Sequence, residues 1–264
     1  MDLNMEMVMK FNTIVKSLAL TAGLAASFTS SAEFLDFTVD ESVYSQGESS
    51  ITADKFNGSY FEELVFDGTG GFTTGAFANL TSLVANEATT PVNNSVLGVN
   101  VGGIGYNLYA VLTASGTANA AETEFYATTA TFSLYIDPSF DTSSDDTLNG
   151  TVTDVSGDDI LIGSASAVTN AYGQYDNGTG NFNFDFTDFA LTAEGELYFV
   201  SPEPFYSYVT VNGDFDTLDN LPDITGDLSA NFIAAPVNVP EPSTVAVLAL
   251  GLVGLGMSAR RKNK

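Results

Sequence analysis

From Phe34 to Ala235 polar and apolar residues alternate with the period of two expected of half-buried strands. Asn181-Phe-Asn-Phe-Asp-Phe186 alternates strictly, and Thr131-Phe-Ser-Leu-Tyr-Ile136 interleaves Phe, Leu and Ile with Thr, Ser and Tyr. Similar runs cover 60–66, 107–114, 160–168, 195–200, 206–212 and 228–234. Short turn signals separate them at Asn57-Gly58, Asp67-Gly68, Asn149-Gly150, Asn177-Gly178 and Asn212-Gly213. Only 76–86 offers even a weak helical stripe. The pattern predicts an all-β body over 33–235, built as an antiparallel β-sandwich or jelly roll. No repeat of fixed period and no linker divides it.

The two ends follow another pattern. From Met9, Lys10 and Lys16 lead into an apolar stretch from Ser17 to Phe28, followed by Ser30-Ser31-Ala32. These are the parts of a secretory signal peptide, a short signal helix over 1–32 with cleavage between Ala32 and Glu33. Asp2 and Glu6 would spoil the basic n-region, which points to Met9 as the true start. An uncleaved N-terminal anchor is the alternative. At the other end, 236–264 combines a Pro-rich stalk, an apolar run over 245–259 and the basic cluster Arg260-Arg261-Lys262. As a helix that run spans about 22 Å, a marginal transmembrane segment unless the bilayer thins or the span extends into 242–244. The positive-inside rule leaves the basic tail in the cytoplasm and the body outside. A buried soluble helix is the other reading, but a basic cluster directly after the run argues against it.

Charge separates the same regions. The chain has 33 acidic and 7 basic residues and a formal charge of −26, with no His, Cys or Trp. Between Glu33 and Pro240, Lys55 is the only basic residue against 30 acids, so this stretch carries −29. Such a body cannot neutralise a phosphate backbone, so nucleic acid is excluded as a partner. Without His or Cys there is no imidazole base, no Ser-His-Asp triad, no thiolate nucleophile and no zinc–thiolate site. Missing disulfides do not assign a compartment.

Pro240-Glu241-Pro242, the apolar span and the Arg cluster resemble, in this order at the C-terminus, the PEP-CTERM sorting signal of Gram-negative bacteria. The resemblance implies recognition by an exosortase, passage through the inner membrane with the body in the periplasm, and delivery to the cell surface or matrix. It assigns the sorting role to Pro240, Glu241, Pro242, Arg260 and Arg261. Each Pro fixes φ and removes a helix N–H, keeping the tripeptide extended outside the bilayer. Within the body, Phe34–Glu41, Thr52–Tyr60, Leu134–Pro138, Tyr198–Pro202 with Pro204-Phe205, and Gly213–Asp216 resemble the flocculation-associated PEP-CTERM family. That second resemblance implies a non-enzymatic role in cell aggregation, as floc or biofilm, with exopolysaccharide.

Three kinds of candidate chemistry remain. Carboxylate pairs at Glu62-Glu63, Glu122 with Glu124, Asp158-Asp159, and Glu194 with Glu196 could serve a glycosidase, the alternative function. In a strand the last pair would share a face. Composition alone produces such pairs, and the expectation is no enzyme. No cofactor is required, but Asp137–Asp141 leading into Asp145-Asp146, Asp154 with Asp158-Asp159, and Asp214, Asp216, Asp219 and Asp223 are hard-oxygen clusters suited to Ca²⁺. Asp141, Asp145 and Asp146 are the first candidate ligands, against a merely solvated acidic surface. Tyr172 and Tyr175, among Gly and Asn, are candidate sugar-stacking rings. The partners expected are thus an exosortase, exopolysaccharide and, along strand edges, further copies of the chain.

Overall fold

The computed structural model describes residues 34–176, 179–216 and 222–233. Most of these residues are in strands, with almost no helix. Eight positions around one closed sheet are filled by β3 (Lys55–Phe66), β4 (Gly71–Ala85), β6 (Asn107–Ala118), β7 (Glu124–Asp137), β10 (Ile160–Ala165) with β11 (Val168–Asp176), β12 (Thr179–Phe186), β15 (Tyr208–Phe215) and β16 (Asp223–Ile233). Each pairs antiparallel with its neighbour. β10 and β11 run in succession along β7, at Ile136–Phe132 and then Tyr126–Glu124. β16 pairs with β3 from Asp223↔Glu63 to Ala230↔Phe56 and closes the ring. The all-β expectation holds, but the sheet is an up-and-down barrel rather than the two packed sheets of a sandwich. Alternation reports that one face of each strand is buried and is blind to whether the sheet closes.

Inward positions are apolar. Phe56, Tyr60, Leu64, Phe72, Phe125, Phe132, Phe182, Phe184, Phe215 and Phe232 are buried in one core. Several inward rings lie on an inward glycine: a Cβ at Gly173 would stand 1.9 Å from Phe125, at Gly180 2.4 Å from Phe215, and at Gly213 2.8 Å from Phe182. Large and small residues thus interlock across the lumen, which eight strands leave just wide enough for side chains. A cavity of about 30 Å³ remains, lined among others by Glu62, Thr74 and Phe125, the scale of a water molecule rather than of a ligand. The outer wall carries Asn181, Asn183 and Asp185 on β12 and Thr210, Asn212 and Asp214 on β15. An apolar lumen with a polar exterior is the reverse of a membrane-spanning barrel.

One end is capped by a second sheet of β1 (Phe37–Val39), β2 (Ile51–Ala53) and β14 (Phe199–Ser201). It brings Phe37 onto Phe56 at 4.9 Å between ring centroids and Phe199 onto Phe205 at 4.6 Å. Glu41, in the 3₁₀ turn Glu41–Val43, is fully buried here. It accepts from Ser95 Oγ (2.6 Å), Val96 N (3.0 Å) and Tyr106 OH (3.1 Å), and the Tyr106 and Tyr198 hydroxyls meet at 2.5 Å. Burial raises the pKa of both tyrosines, so both stay protonated as donors. β5 (Thr90–Pro91) extends β4, and β13 (Ala190–Leu191) extends β10.

Three local expectations change. Residues 76–86, the weak helix candidate, lie mostly in β4, because Ala76, Ala78 and Leu80 face the lumen at a spacing of two. Residues 195–200 divide between helix α1 (Ala193–Tyr198) and β14. Thr192 caps α1, its hydroxyl accepting from Gly195 N at 3.0 Å, while a Cβ at Gly195 would lie 1.9 Å from the Ile162 carbonyl. Asn57-Gly58 and Asn212-Gly213 lie inside β3 and β15 rather than in turns. The signal helix, the Ala32–Glu33 junction, the stalk and the C-terminal helix lie outside the described residues. Among those described, no helix is long and apolar enough to cross a membrane.

Candidate metal centre

β7 ends at Asp137 and β10 begins at Ile160, and the chain between them leaves the barrel as an excursion. Its middle is a hairpin of β8 (Ser143–Asp146) and β9 (Thr151–Thr153), turned at Asn149-Gly150 with Gly150 at φ +67°. The hairpin lies on the outer barrel wall. A Cβ at Gly75 would stand 1.9 Å from the Thr147 carbonyl, and one at Gly150 would stand 3.0 Å from both Val111 and Thr113. Next to this contact Phe77, Tyr109 and Tyr135 stack in a row, with centroids 5.1 and 4.9 Å apart. Phe77 and Tyr109 are buried although they point away from the lumen.

The two ends of the excursion bring five aspartates together. Carboxylate oxygens of Asp137, Asp141 and Asp158 lie within 4.8 Å of one another, as do those of Asp154, Asp158 and Asp159. Asp137 is fully buried and accepts from the backbone N–H of Ser139 (3.0 Å), Asp141 (3.4 Å) and Thr142 (3.2 Å). Asp154 accepts from Gly157 N at 2.6 Å and Asp159 N at 3.0 Å, and these amides hold its pKa below the usual carboxylate range. Asp158 accepts from Ser139 Oγ at 2.7 Å and Ser156 Oγ at 2.9 Å. Asp159 Oδ2 takes Tyr109 OH at 2.6 Å and Thr142 Oγ1 at 2.7 Å. Burial raises the Asp159 pKa, with the Asp154 and Asp137 charges adding to it against those two hydrogen bonds. Two oxygens are left over: Asp141 Oδ1 and Asp159 Oδ1 are buried with no hydrogen-bond partner. A buried carboxylate oxygen without a donor is costly, and like charges this close add to the cost. Chemically the cluster is an all-oxygen donor set for a hard cation.

Of the expected ligands only Asp141 joins it. Asp145 is exposed and takes the Thr153 hydroxyl. Asp146 closes its own turn, accepting from Asn149 N at 3.1 Å and Nδ2 at 2.7 Å. Both are exposed and are held by partners within the hairpin itself. Asp137, Asp154, Asp158 and Asp159 take their place. A signal for them exists in the sequence: each end of the excursion carries an Asp-x-x-x-Asp, at 137/141 and 154/158.

Tyr172 and Tyr175 do not form a pair. They lie three positions apart on β11, and the pleat sends them to opposite faces. Tyr172 faces outward beside the exposed Tyr126, over a groove with Gln174, Asn181, Asn183 and Asn212. Tyr175 lines a separate depression at the hairpin end with Thr123 and Asp176. Asp158 and Asp159 stay together in the cluster, but two other carboxylate pairs are parted. Glu62 points into the lumen while Glu63 faces out, and Glu194 and Glu196 lie on α1, where a spacing of two separates them around the helix. Glu62 accepts the Thr74 hydroxyl, and burial raises its pKa to about 7.

The family model described as the PEP-CTERM protein-sorting motif matches residues 238–262. The match contains Pro240, Glu241, Pro242, Arg260 and Arg261, all outside the described residues. Comparisons with curated proteins and with solved structures return no match.

Proposed function

For a PEP-CTERM protein, an exported chain targeted to an exosortase and held transiently at the membrane before surface release, we propose a non-catalytic role in cell cohesion. The mature body works in the extracellular matrix, contributing to floc or biofilm formation by contact with exopolysaccharide. The observation that carries this reading is the sorting motif, joined to an acidic body with a polar outer wall. Tyr126 and Tyr172 stand on that wall beside Gln174, Asn181, Asn183 and Asn212. Rings with an apolar face and neighbouring amides are the groups that stack on and hydrogen-bond to sugars. The body segments that resemble flocculation-associated proteins support the same role. Self-association along strand edges falls to the outlying strands β2, β5, β13 and β14, because the eight barrel positions are all paired.

Settling of cells that lack the protein tests the proposal. Full-length chain restores flocs, whereas a version ending at Asn238 does not. Tyr126→Ala with Tyr172→Ala reaches the surface and restores them only in part. Normal aggregation without the protein overturns the reading.

A further inference from the structure

The acidic excursion buries two carboxylate oxygens that its own hydrogen bonds do not serve. Twelve residues separate the two Asp-x-x-x-Asp segments, yet the fold returns their carboxylates to one place. The available donors are spent. Backbone amides serve Asp137 and Asp154, and hydroxyls of Ser139, Ser156, Thr142 and Tyr109 serve Asp158, Asp141 and Asp159. Asp141 Oδ1 and Asp159 Oδ1 remain buried and unpartnered, one from each end of the excursion. The body offers no Arg and a single Lys, Lys55, which sits on β3 beside Asn57 and Ser82, so among the described residues no side-chain cation answers this charge.

We propose that Asp137, Asp141, Asp154, Asp158 and Asp159 bind Ca²⁺, and that the ion clips the 138–159 excursion onto the barrel wall. Oxygens bound to one Ca²⁺ at about 2.3–2.6 Å lie at most about 5 Å apart, the separation both triads keep. Asp158 belongs to both triads and seats the ion between the two ends. Ca²⁺ accepts 6–8 oxygens in flexible geometry, whereas Mg²⁺ demands a tight octahedron and holds its waters, so the site favours Ca²⁺. With the ion removed, carboxylates from the two ends repel, the hairpin lifts from Gly75, and Phe77, Tyr109 and Tyr135 lose their cover.

Terbium luminescence on the purified full-length chain tests this. The chain has no Trp, so excitation near 280 nm is absorbed by tyrosine, and Tyr109 donates directly to Asp159. Tb³⁺ gives saturable emission that Ca²⁺ displaces at lower concentration than Mg²⁺. Tyr109→Phe lowers that emission severalfold. Asp141→Asn with Asp159→Asn abolishes it, while Asp145→Asn with Asp146→Asn, which removes the same charge nearby, leaves it intact. Ca²⁺ at a hundred times its Kd raises Tm by roughly 5–10 °C in wild type and in the 145/146 variant. The 141/159 variant shows no such rise and melts above wild type in EGTA, because the repulsion is gone. Equal responses of the two double variants would mean general screening of an acidic body and would overturn the site. If the 141/159 variant does not fold, unchanged emission from Tyr109→Phe overturns it instead.

Discussion

The barrel lumen and the 138–159 excursion are stabilised by opposite means. In the lumen rings interlock with glycines, and the buried polar groups are few and paired. Its stability comes from apolar area and needs no ion. The excursion buries little apolar surface of its own, and its order rests on hydroxyls and amides answering carboxylates. In this acidic chain the excursion concentrates six of the body's 30 acids in 22 residues, whereas the described lumen is nearly free of charge. The comparison teaches that a formal charge of −29 is compatible with a compact body when the like charges gather at the surface.

The largest test of the difference is in the lumen. Phe125 is buried against Gly173 and meets Phe66, Phe72 and Phe215. Phe125→Ala should cost about 3–5 kcal/mol in denaturant unfolding, with or without Ca²⁺. A Ca²⁺-dependent loss there would break the division. Glu62 is the one ionisable carboxyl lining the lumen cavity among the described residues and gives the next effect. Its native pKa is raised from 4.5 to about 7. Across that window the native state holds a proton that the unfolded chain has released, so stability falls as pH rises. Glu62→Gln should remove a loss on the order of 3 kcal/mol above pH 7 while changing little below pH 4.5. Parallel curves for the two proteins would show Glu62 to be solvated. At the cap, Tyr198→Phe removes one hydroxyl from the buried Tyr106–Glu41 chain and should cost about 1–2 kcal/mol by thermal melting. The smallest effect belongs to the excursion's tip. Asp146→Ala frees the Asn149 turn and should cost about 0.5 kcal/mol without touching Ca²⁺ binding.

Much of the strand content is legible because period two is a local signal. Asn181–Phe186 reads as a strand and is one, and Asp67-Gly68 reads as a turn and joins β3 to β4. The misreadings have specific causes. Asn57-Gly58 and Asn212-Gly213 carry turn chemistry, but Gly58 and Gly213 are needed for closeness: added Cβ atoms would stand 1.9 Å from the Asn79 carbonyl and 2.3 Å from that of Asp227. A short-range rule cannot see a neighbour brought in by the barrel. Glu194 and Glu196 looked like one face of a strand until Thr192 capped a helix there. The carboxylate cluster is half legible: its five aspartates all stand in acidic groups along the chain, but the first candidate ligands Asp145 and Asp146 lie outside it.

What the sequence by itself determined is therefore what depends on neighbours along the chain. The C-terminal sorting signal, the alternating strands, the acidity of the body and the absence of imidazole and thiol chemistry all belong here. Only the tertiary structure decided that β16 returns to β3, that Tyr172 and Tyr175 part, and that Asp141 meets Asp158 rather than Asp145. Closure and clustering depend on pairing between residues distant in sequence. A period-two pattern specifies which face of a strand is buried, and it carries no information about which strand lies beside it.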